Sequence, residues 1–428
     1  MQLEELYQLY LKSTGVSTDT RHITERQLFF ALKGDRFNGN HWAEQALDNG
    51  ASYVILDERE YLKDDRMILV DDVLSCLQQL AGFHRQQYKN PVIGLTGSNG
   101  KTTTKELIHL ILTVEHDVNT TVGNFNNHIG LPLTLLKGSL EQDFWVVEMG
   151  TNSPGEIELL CEIAQPNFGL ITNIGAAHLE KLIDLDGVFQ EKTSLFRSVL
   201  ADNGSIFVNR GDDYLRLFDD DTSQRSITYT ADLCGYGNLT LKNSKPYLSF
   251  ELRDDISGLH ELKSNLVGRY NQDNISAALT VGAHFGVSIE SAINAISSYV
   301  PDNMRSQLKQ TDHNLLVLDT YNANPTSMKA SILSFIQSDY DAPLCIIGDM
   351  LESGDQGMDQ HKEIEELLIS SGVPYYLVGH SFAAVSDRGF DHVDSLKAHL
   401  ADQGAIKNRT ILLKASRGIA LERLLDLL

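Results

Sequence analysis

GLTGSNGKTTTKE, Gly94 to Glu106, lies between an apolar run and a helical pattern. The preceding PVIGLTG reads as a buried strand. The following KTTTKELIHLIL reads as a helix with Leu107, Leu110, Ile111 and Val114 on one face. Strand, glycine-rich turn and helix in that order aim the backbone N–H groups of Gly97, Ser98, Asn99 and Gly100 inward at a helix N-terminus. Aligned amides and the helix dipole attract phosphate there. Lys101 is placed to reach the terminal phosphates of a nucleotide, and the hydroxyl of Thr102, with Thr103 next to it, to ligate Mg2+. The usual phosphate loop carries a glycine five residues before Gly100, where this chain has Leu95. The competing reading is a plain strand-to-helix turn that happens to hold a lysine.

Working outward, strand and helix patterns alternate along most of the 428 residues, a length that calls for two or three domains. Before Tyr88, QLFFAL and ASYVILD read as strands, HWAEQALDNG as a helix ending on Gly50, and DDVLSCLQQLAGFHRQQY as a longer helix. Next come PVIGLTG, DFWVVEMG, FGLITNIG and GSIFVNR, and beyond SYVPDNMR come NLLVLDT, APLCIIGDM, PYYLVGH and RTILLKASR. This pattern predicts an α/β protein with parallel sheets covered by helices. Arg210 to about Lys263 reads as a meander of antiparallel strands. The expected divisions are 1–88, 89–300 and 301–428. Candidate strands end repeatedly in polar or glycine residues, among them Glu148, Asn173, Asp319, Asp349 and Ser416-Arg417. Ligand crevices of open parallel sheets lie at such ends.

Composition narrows the function. Thirty-five Lys and Arg against 58 Asp and Glu give a formal net charge of −23, which disfavours nucleic acid and anionic lipid as partners. An anionic ligand must then be held by local devices. No apolar run approaches the roughly 20 residues that span a bilayer, and the first residues form an amphipathic helical pattern rather than a signal peptide. Cys76, Cys161, Cys234 and Cys345 lie far apart, as expected of reduced thiols in a cytoplasmic enzyme.

Several other residues could carry chemistry, each with a plainer alternative. Glu148 ends a strand beside the loop and could hold Mg2+ or cap a helix. His178 in NIGAAHLE could be a ligand or a structural histidine, and Lys192 in GVFQEKTSLF reads as an ordinary exposed helix lysine. Asn124, Asn126 and Asn127 in GNFNNHIGLP form a cluster typical of turns. Asn271 and Asn274 share one face of a helix start, where capping is the simple role.

TGSNGKTT resembles the shortened phosphate loop of the Mur ligase family, and the resemblance extends over all three regions. It implies a three-domain fold: a small N-terminal α/β domain for a uridine nucleotide, a central P-loop-type sheet for ATP, and a C-terminal Rossmann-like sheet. It implies ATP and Mg2+ as cofactors, Lys101 as the phosphate-binding lysine, and Glu148 and His178 at a metal site. It implies that Lys192 is carbamylated by CO2, a carboxylate-like ligand beside a second Mg2+. Asn124, Asn126 and Asn127 are given to the sugar-nucleotide substrate, Asn271 and Asn274 to adenine, Arg305 to ATP, and Asp319 to the ribose. Ser17, Asp19, Thr20 and Arg21 match the run S-x-D-[ST]-R of the uridine-binding domain. Relatives with F-D-G-H-D differ from this chain's Phe37-Asn38-Gly39-Asn40-His41. DTYNANP narrows the resemblance to the branch that adds D-alanyl-D-alanine, with Tyr321, Asn322 and Asn324 near the dipeptide. Asp349, Ser416 and Arg417 line the C-terminal face. The implied activity is ATP-dependent amide formation between UDP-N-acetylmuramoyl-tripeptide and D-alanyl-D-alanine through an acyl phosphate, in peptidoglycan synthesis, by a cytoplasmic monomer that does not insert into membranes. A ligase of the same family with another amine substrate, and a nucleotide-dependent switch that performs no ligation, remain open at this point.

Overall fold

The computed structural model describes residues 1–222, 225–352, 354, 357–404 and 406–428, the side chains of residues 220–222 apart. Three parallel or mostly parallel sheets follow one another along the chain, as the alternating pattern predicts. The first has four strands in the order Val16–Ser17, Leu28–Phe30, Tyr53–Leu56 and Met67–Leu69, all parallel. The outer two are too short to show a hydrophobic period, and so they escape a sequence reading. The helix Leu3–Lys12 buries Leu6, Tyr7 and Tyr10. Tyr7 packs edge-on against Phe83 of the helix Val73–Gln87, and the Tyr10 hydroxyl donates to the Leu136 carbonyl at 2.6 Å. Arg85 of that longer helix is buried and donates to the carbonyls of Ala164 (2.7 Å), Gln165 (2.7 Å) and Tyr88 (2.9 Å). These bonds weld the first sheet's supports to the second region. In the departing segment Asn38–His41, Asn40 is fully buried; its amide donates to Asn38 and Asp57 while its carbonyl oxygen accepts from the Asp57 N–H. Asn40 therefore acts as a structural clip.

The central sheet has six parallel strands in the order Ser226–Tyr229, Ser205–Asn209, Phe168–Ile171, Val92–Thr96, Phe144–Glu148 and Val118–Thr120. From Val92–Thr96 the chain first builds out one side and then crosses to the other, which makes this strand the topological switch point. The helix Lys101–Leu112 follows it directly. Leu107, Ile108, Ile111 and Leu112 are buried on that helix, whereas Val114 lies beyond its end and is exposed. The apolar face predicted with Leu110 and Val114 is thus turned toward Ile108 and Leu112. Against it pack the helices Asn271–His284 and Ile289–Ser298, and the same core takes in an antiparallel meander, Leu233–Cys234, Gly237–Asn243, Ser249–Asp254 and Gly258–Lys263, through Leu239, Phe250, Leu252 and Leu262. The predicted meander is present, but its first part contributes a helix, Leu217–Thr222, and the sheet-edge strand Ser226–Tyr229 instead.

The third sheet runs Gln307–Gln310, Leu315–Asp319, Thr410–Lys414, Pro343–Gly348, Tyr375–Val378 and Gly389–Phe390. It is parallel except at the first strand, an antiparallel edge whose polar sequence QLKQ gives no strand signal. It has two cores, one built around Met328, Ile332, Ile347 and Leu412 and joined by Val267 and Tyr247 of the central region, the other around Leu316, Ile346, Leu396 and Leu413.

Candidate active site

The loop after Val92–Thr96 is shaped by its neighbours. Gly97 and Gly100 hold positive φ values of 148° and 78°. A Cβ on Gly97 would stand 1.9 Å from Thr172 Oγ1, and one on Gly100 2.3 Å from Asn274 Oδ1, so only glycine fits either place. Asn173, at the end of the adjacent strand, brackets the loop. Its side-chain oxygen accepts from Asn99 N at 3.1 Å and its amide donates to Asn99 O at 3.0 Å. Thr172 Oγ1 donates to the same carbonyl at 2.6 Å. The loop is preformed at the N-terminus of the helix Lys101–Leu112, whose first N–H groups have no intrahelical partner. Lys101 Nζ is folded back onto Gly97 O at 2.6 Å and Ser98 O at 3.3 Å, within the loop it would share with a phosphate.

The loop forms one wall of a cleft of about 590 Å³. Ser98, Asn99, Gly100, Lys101, Thr102, Thr103, Asn124, Asn126, Asn127, Glu148, His178, Asn271 and Asn274 line it from the central region, and Arg305, Asp319, Tyr321, Asn322 and Asn324 from the third. The two sides touch: Asn324 Nδ2 donates to Asn99 Oδ1 at 2.9 Å, and Ala176 N donates to Thr326 Oγ1 at 2.9 Å. Asn271 and Asn274 join the walls from below. Asn274 Nδ2 donates to Asn271 Oδ1 at 2.8 Å and its oxygen accepts from Thr104 Oγ1 at 3.1 Å, while Asn271 Nδ2 reaches Val267 O and Ser306 Oγ. Asp319 and Lys414 are register partners on adjacent strand ends, which places Lys414 Nζ 2.6 Å from Asp319 Oδ2.

Three family models match the chain: the Mur ligase middle domain at residues 95–282, the Mur ligase glutamate ligase domain at 304–417, and the Mur ligase family catalytic domain at 12–85. The UDP-N-acetylmuramoyl-tripeptide–D-alanyl-D-alanine ligase of Bacillus subtilis is 36% identical over 426 residues, covering 96% of this chain and 92% of its own. The chain is a Mur ligase. Among solved structures, a MurF crystal structure from Acinetobacter baumannii superposes with a TM-score of 0.85 at 27% identity, over 98% of this chain and 97% of that one. The MurF ligase of Thermotoga maritima, solved in complex with ADP, gives 0.84 at 27% identity with the same coverage. The three-domain fold of this Mur ligase is that of the MurF structures.

At the floor of this Mur ligase's cleft, Glu148 is buried. Its Oε1 accepts from Asn126 Nδ2 at 2.8 Å, and its Oε2 has no partner among the described residues. Lys192 is 1% exposed rather than the exposed helix lysine its sequence context suggests, and it has no hydrogen-bond or ion-pair partner among the described residues. Burial first, then repulsion from Lys101, drives its ammonium far below the ordinary lysine range, against the pull of Glu191 and Glu352. Its neighbour Glu191 is fully engaged, accepting from Thr151 Oγ1, Gly155 N and Ile157 N at 2.7–3.0 Å. Burial also lowers Lys101, with Glu148 opposing. The His178 imidazole is pushed down to about 3 by burial and by the charges of Lys101 and Lys192.

The remaining predicted residues of this Mur ligase lie elsewhere. Ser17, Asp19, Thr20 and Arg21 form a surface turn outside the cleft lining, with Arg21 chelating the Asp19 carboxylate at 2.6–3.2 Å. That pairing holds the Asp19 carboxyl well below its usual range. Asp349 is buried beneath the third region's surface, where its two oxygens accept from Ser381 N (2.8 Å) and Phe382 N (3.0 Å); it caps the helix His380–Val385 instead of facing the cleft. Ser416 is buried as well and accepts from Leu351 N at 3.0 Å, whereas Arg417 is exposed with its guanidinium 5.4 Å from the Tyr321 ring centre. Arg305 stacks on the same ring at 3.6 Å. Sequence reasoning missed Glu352, Lys414, Thr326 and Tyr270, all of which line the cleft. The first two sit within or beside strand-end motifs, IIGDMLESG and KASRG, whose central residues drew the attention. Ser353 of the first motif lies outside the described residues.

Proposed function

We propose that this Mur ligase uses ATP to join D-alanyl-D-alanine to UDP-N-acetylmuramoyl-tripeptide, making the pentapeptide precursor of peptidoglycan. The observation that carries this reading is the preformed Gly97–Lys101 loop facing the DTYNANP segment across one cleft, with Asn324 bonded to Asn99. The printed names of the relatives supply the substrates. The tripeptide carboxylate attacks the γ-phosphorus of ATP, ADP leaves, and the amine of the dipeptide then attacks the acyl carbon, with phosphate departing. Positioning and charge stabilisation supply most of the rate in such a transfer. Lys101 exchanges its loop carbonyls for phosphate oxygens, and the N–H groups at the helix start hold the same oxygens. Arg305, braced on Tyr321, adds a second cation from the third region. Asp319, fixed by Lys414, accepts from the ribose hydroxyls, while Asn271 and Asn274 face the adenine. The surface turn Ser17–Arg21 takes the uridine end of the sugar nucleotide.

The donor set fits Mg2+. Glu148 has an orphaned buried oxygen, and a buried, unpaired Lys192 favours the neutral amine. A neutral amine can attack CO2 and release a proton, becoming a carbamate, which is a carboxylate-like ligand. No group of three His, Cys, Asp or Glu side chains is poised as a metal cage among the described residues. That suits Mg2+, which takes one or two carboxylates plus substrate phosphates. Thr102, Glu148, His178 and carbamylated Lys192 would hold it, and it would neutralise charge on the phosphoryl oxygens. No helix of the described residues is long and apolar enough to cross a membrane. The proposal also takes the chain as a cytoplasmic monomer divided at 1–88, 89–300 and 301–428. The test is phosphate release with UDP-N-acetylmuramoyl-tripeptide and ATP. Stoichiometric release that depends on D-alanyl-D-alanine is expected; release unaffected by the dipeptide, or supported equally by unrelated amines, overturns the substrate assignment.

A further inference from the structure

Glu352 is an acidic side chain that the third region sends to the cleft. It lines the cleft, and its Oε2 lies 3.0 Å from His178 Nδ1. The two atoms are at ion-pair distance but off hydrogen-bond alignment, and Oε2 has no other partner among the described residues. Burial raises the Glu352 carboxyl above its usual range, and Asn322, three residues before the helix that begins at Pro325, lies close enough to oppose that shift. The backbone on both sides is built to hold this approach. Gly354 has a φ of 61°, and a Cβ there would stand 2.9 Å from Glu180 N, two residues beyond His178. Thr326 accepts from Ala176 N, two residues before it. His178 itself sits at a φ of 55°, unusual for a non-glycine residue. The segment Ala176–Glu180 is therefore gripped from the third region at two points, with the histidine between them.

A carboxylate accepts and does not donate, so its charge favours the imidazole tautomer with the proton on the facing Nδ1. Its other nitrogen, Nε2, is then left with a free lone pair. Histidines that ligate metals are commonly held this way, and the outer partner fixes both tautomer and ring orientation. We infer that Glu352 is a positioning residue that orients His178 across the domain boundary, so that a competent metal site exists only when the third region is docked. Docking of the acceptor-bearing region and readiness of the phosphoryl-transfer site thereby become one event. This inference rests on the reading of His178 as a metal-site residue.

Two readouts besides turnover test it on the full chain. The first is Mn2+ affinity with a non-hydrolysable ATP analogue, followed by electron paramagnetic resonance. The second is the His178 tautomer, read from long-range 15N–1H spectra and assigned with His178→Asn. Glu352→Ala is expected to weaken Mn2+ binding by about ten- to a hundredfold and to release the Nδ1–H tautomer, with an unchanged melting temperature. Glu352→Gln, whose amide oxygen can still accept, is expected to fall between it and the parent. If His178→Asn loses Mn2+ while Glu352→Ala keeps parental affinity and tautomer, the inference fails and the metal role of His178 stands. If neither variant changes Mn2+ affinity, both fail.

Discussion

Lys101, Lys192 and His178 show how burial turns ordinary side chains to chemistry. Lys101→Ala is expected to lower kcat by at least about a hundred- to a thousandfold, the usual cost of losing a preorganised charge contact, while circular dichroism and melting stay unchanged. Lys192→Ala is expected to lose activity and to regain part of it with short carboxylic acids, which can occupy the space of a carbamate; an unrescued or fully active variant would argue against the modification. Gly97→Ala sets a methyl group against Thr172 and forces an unfavourable φ. It is expected to cost about 2 kcal/mol or more in urea unfolding, and to remove nucleotide binding. The need for glycine at Gly97 and Gly100 was legible in the sequence because the turn itself demands it. The burial of Lys192 was not: a lysine on an amphipathic helix looks solvated until the packing of the facing elements is known. Glu352 stayed hidden for the same reason, since its meaning depends on a histidine more than 170 residues away in the chain.

At the level of elements, the long central strands of all three sheets were readable because each is an unbroken apolar run. The edge strands Val16–Ser17, Met67–Leu69, Val118–Thr120, Gln307–Gln310 and Gly389–Phe390 were not, being short or polar. The helix Lys101–Leu112 was placed correctly but turned by part of a revolution, because the helices Asn271–His284 and Ile289–Ser298 pack on it from a side that the local pattern does not reveal. Ile111→Ala, a deletion inside that interface, is expected to destabilise the chain by about 2–5 kcal/mol. Asp72 accepts from Ser75 N at 2.6 Å at the start of the helix Val73–Gln87. Asp72→Ala is expected to cost about 1 kcal/mol through loss of the cap, measurable by the same unfolding assay.

In the molecule as a whole, apolar contacts divide the chain unevenly. One core runs without a break from Leu6 and Tyr10 through Phe30 and Leu77 to Trp145, Phe196 and Val208, joining the first region to the face of the central sheet. The third region has two further cores and meets the rest through polar contacts such as Asn324–Asn99 and Thr326–Ala176 and through a small apolar patch, where Val267 and Tyr247 of the central region join the core around Met328 and Phe335. Scanning calorimetry is therefore expected to resolve two transitions, and an ATP analogue that bridges the cleft should draw them together; a single transition without ligand would contradict this partition. The same unevenness has a practical side. A chimera that exchanges everything after the SYVPDNMR linker for the corresponding part of another family member would leave the phosphate loop undisturbed, since the only apolar contact the described residues show cut is that of Val267 and Tyr247 with the third region's core. Its amine preference would travel with the graft, and the polar stitches at the seam, together with the fit of Val267 and Tyr247, are what a protein engineer would have to re-tailor.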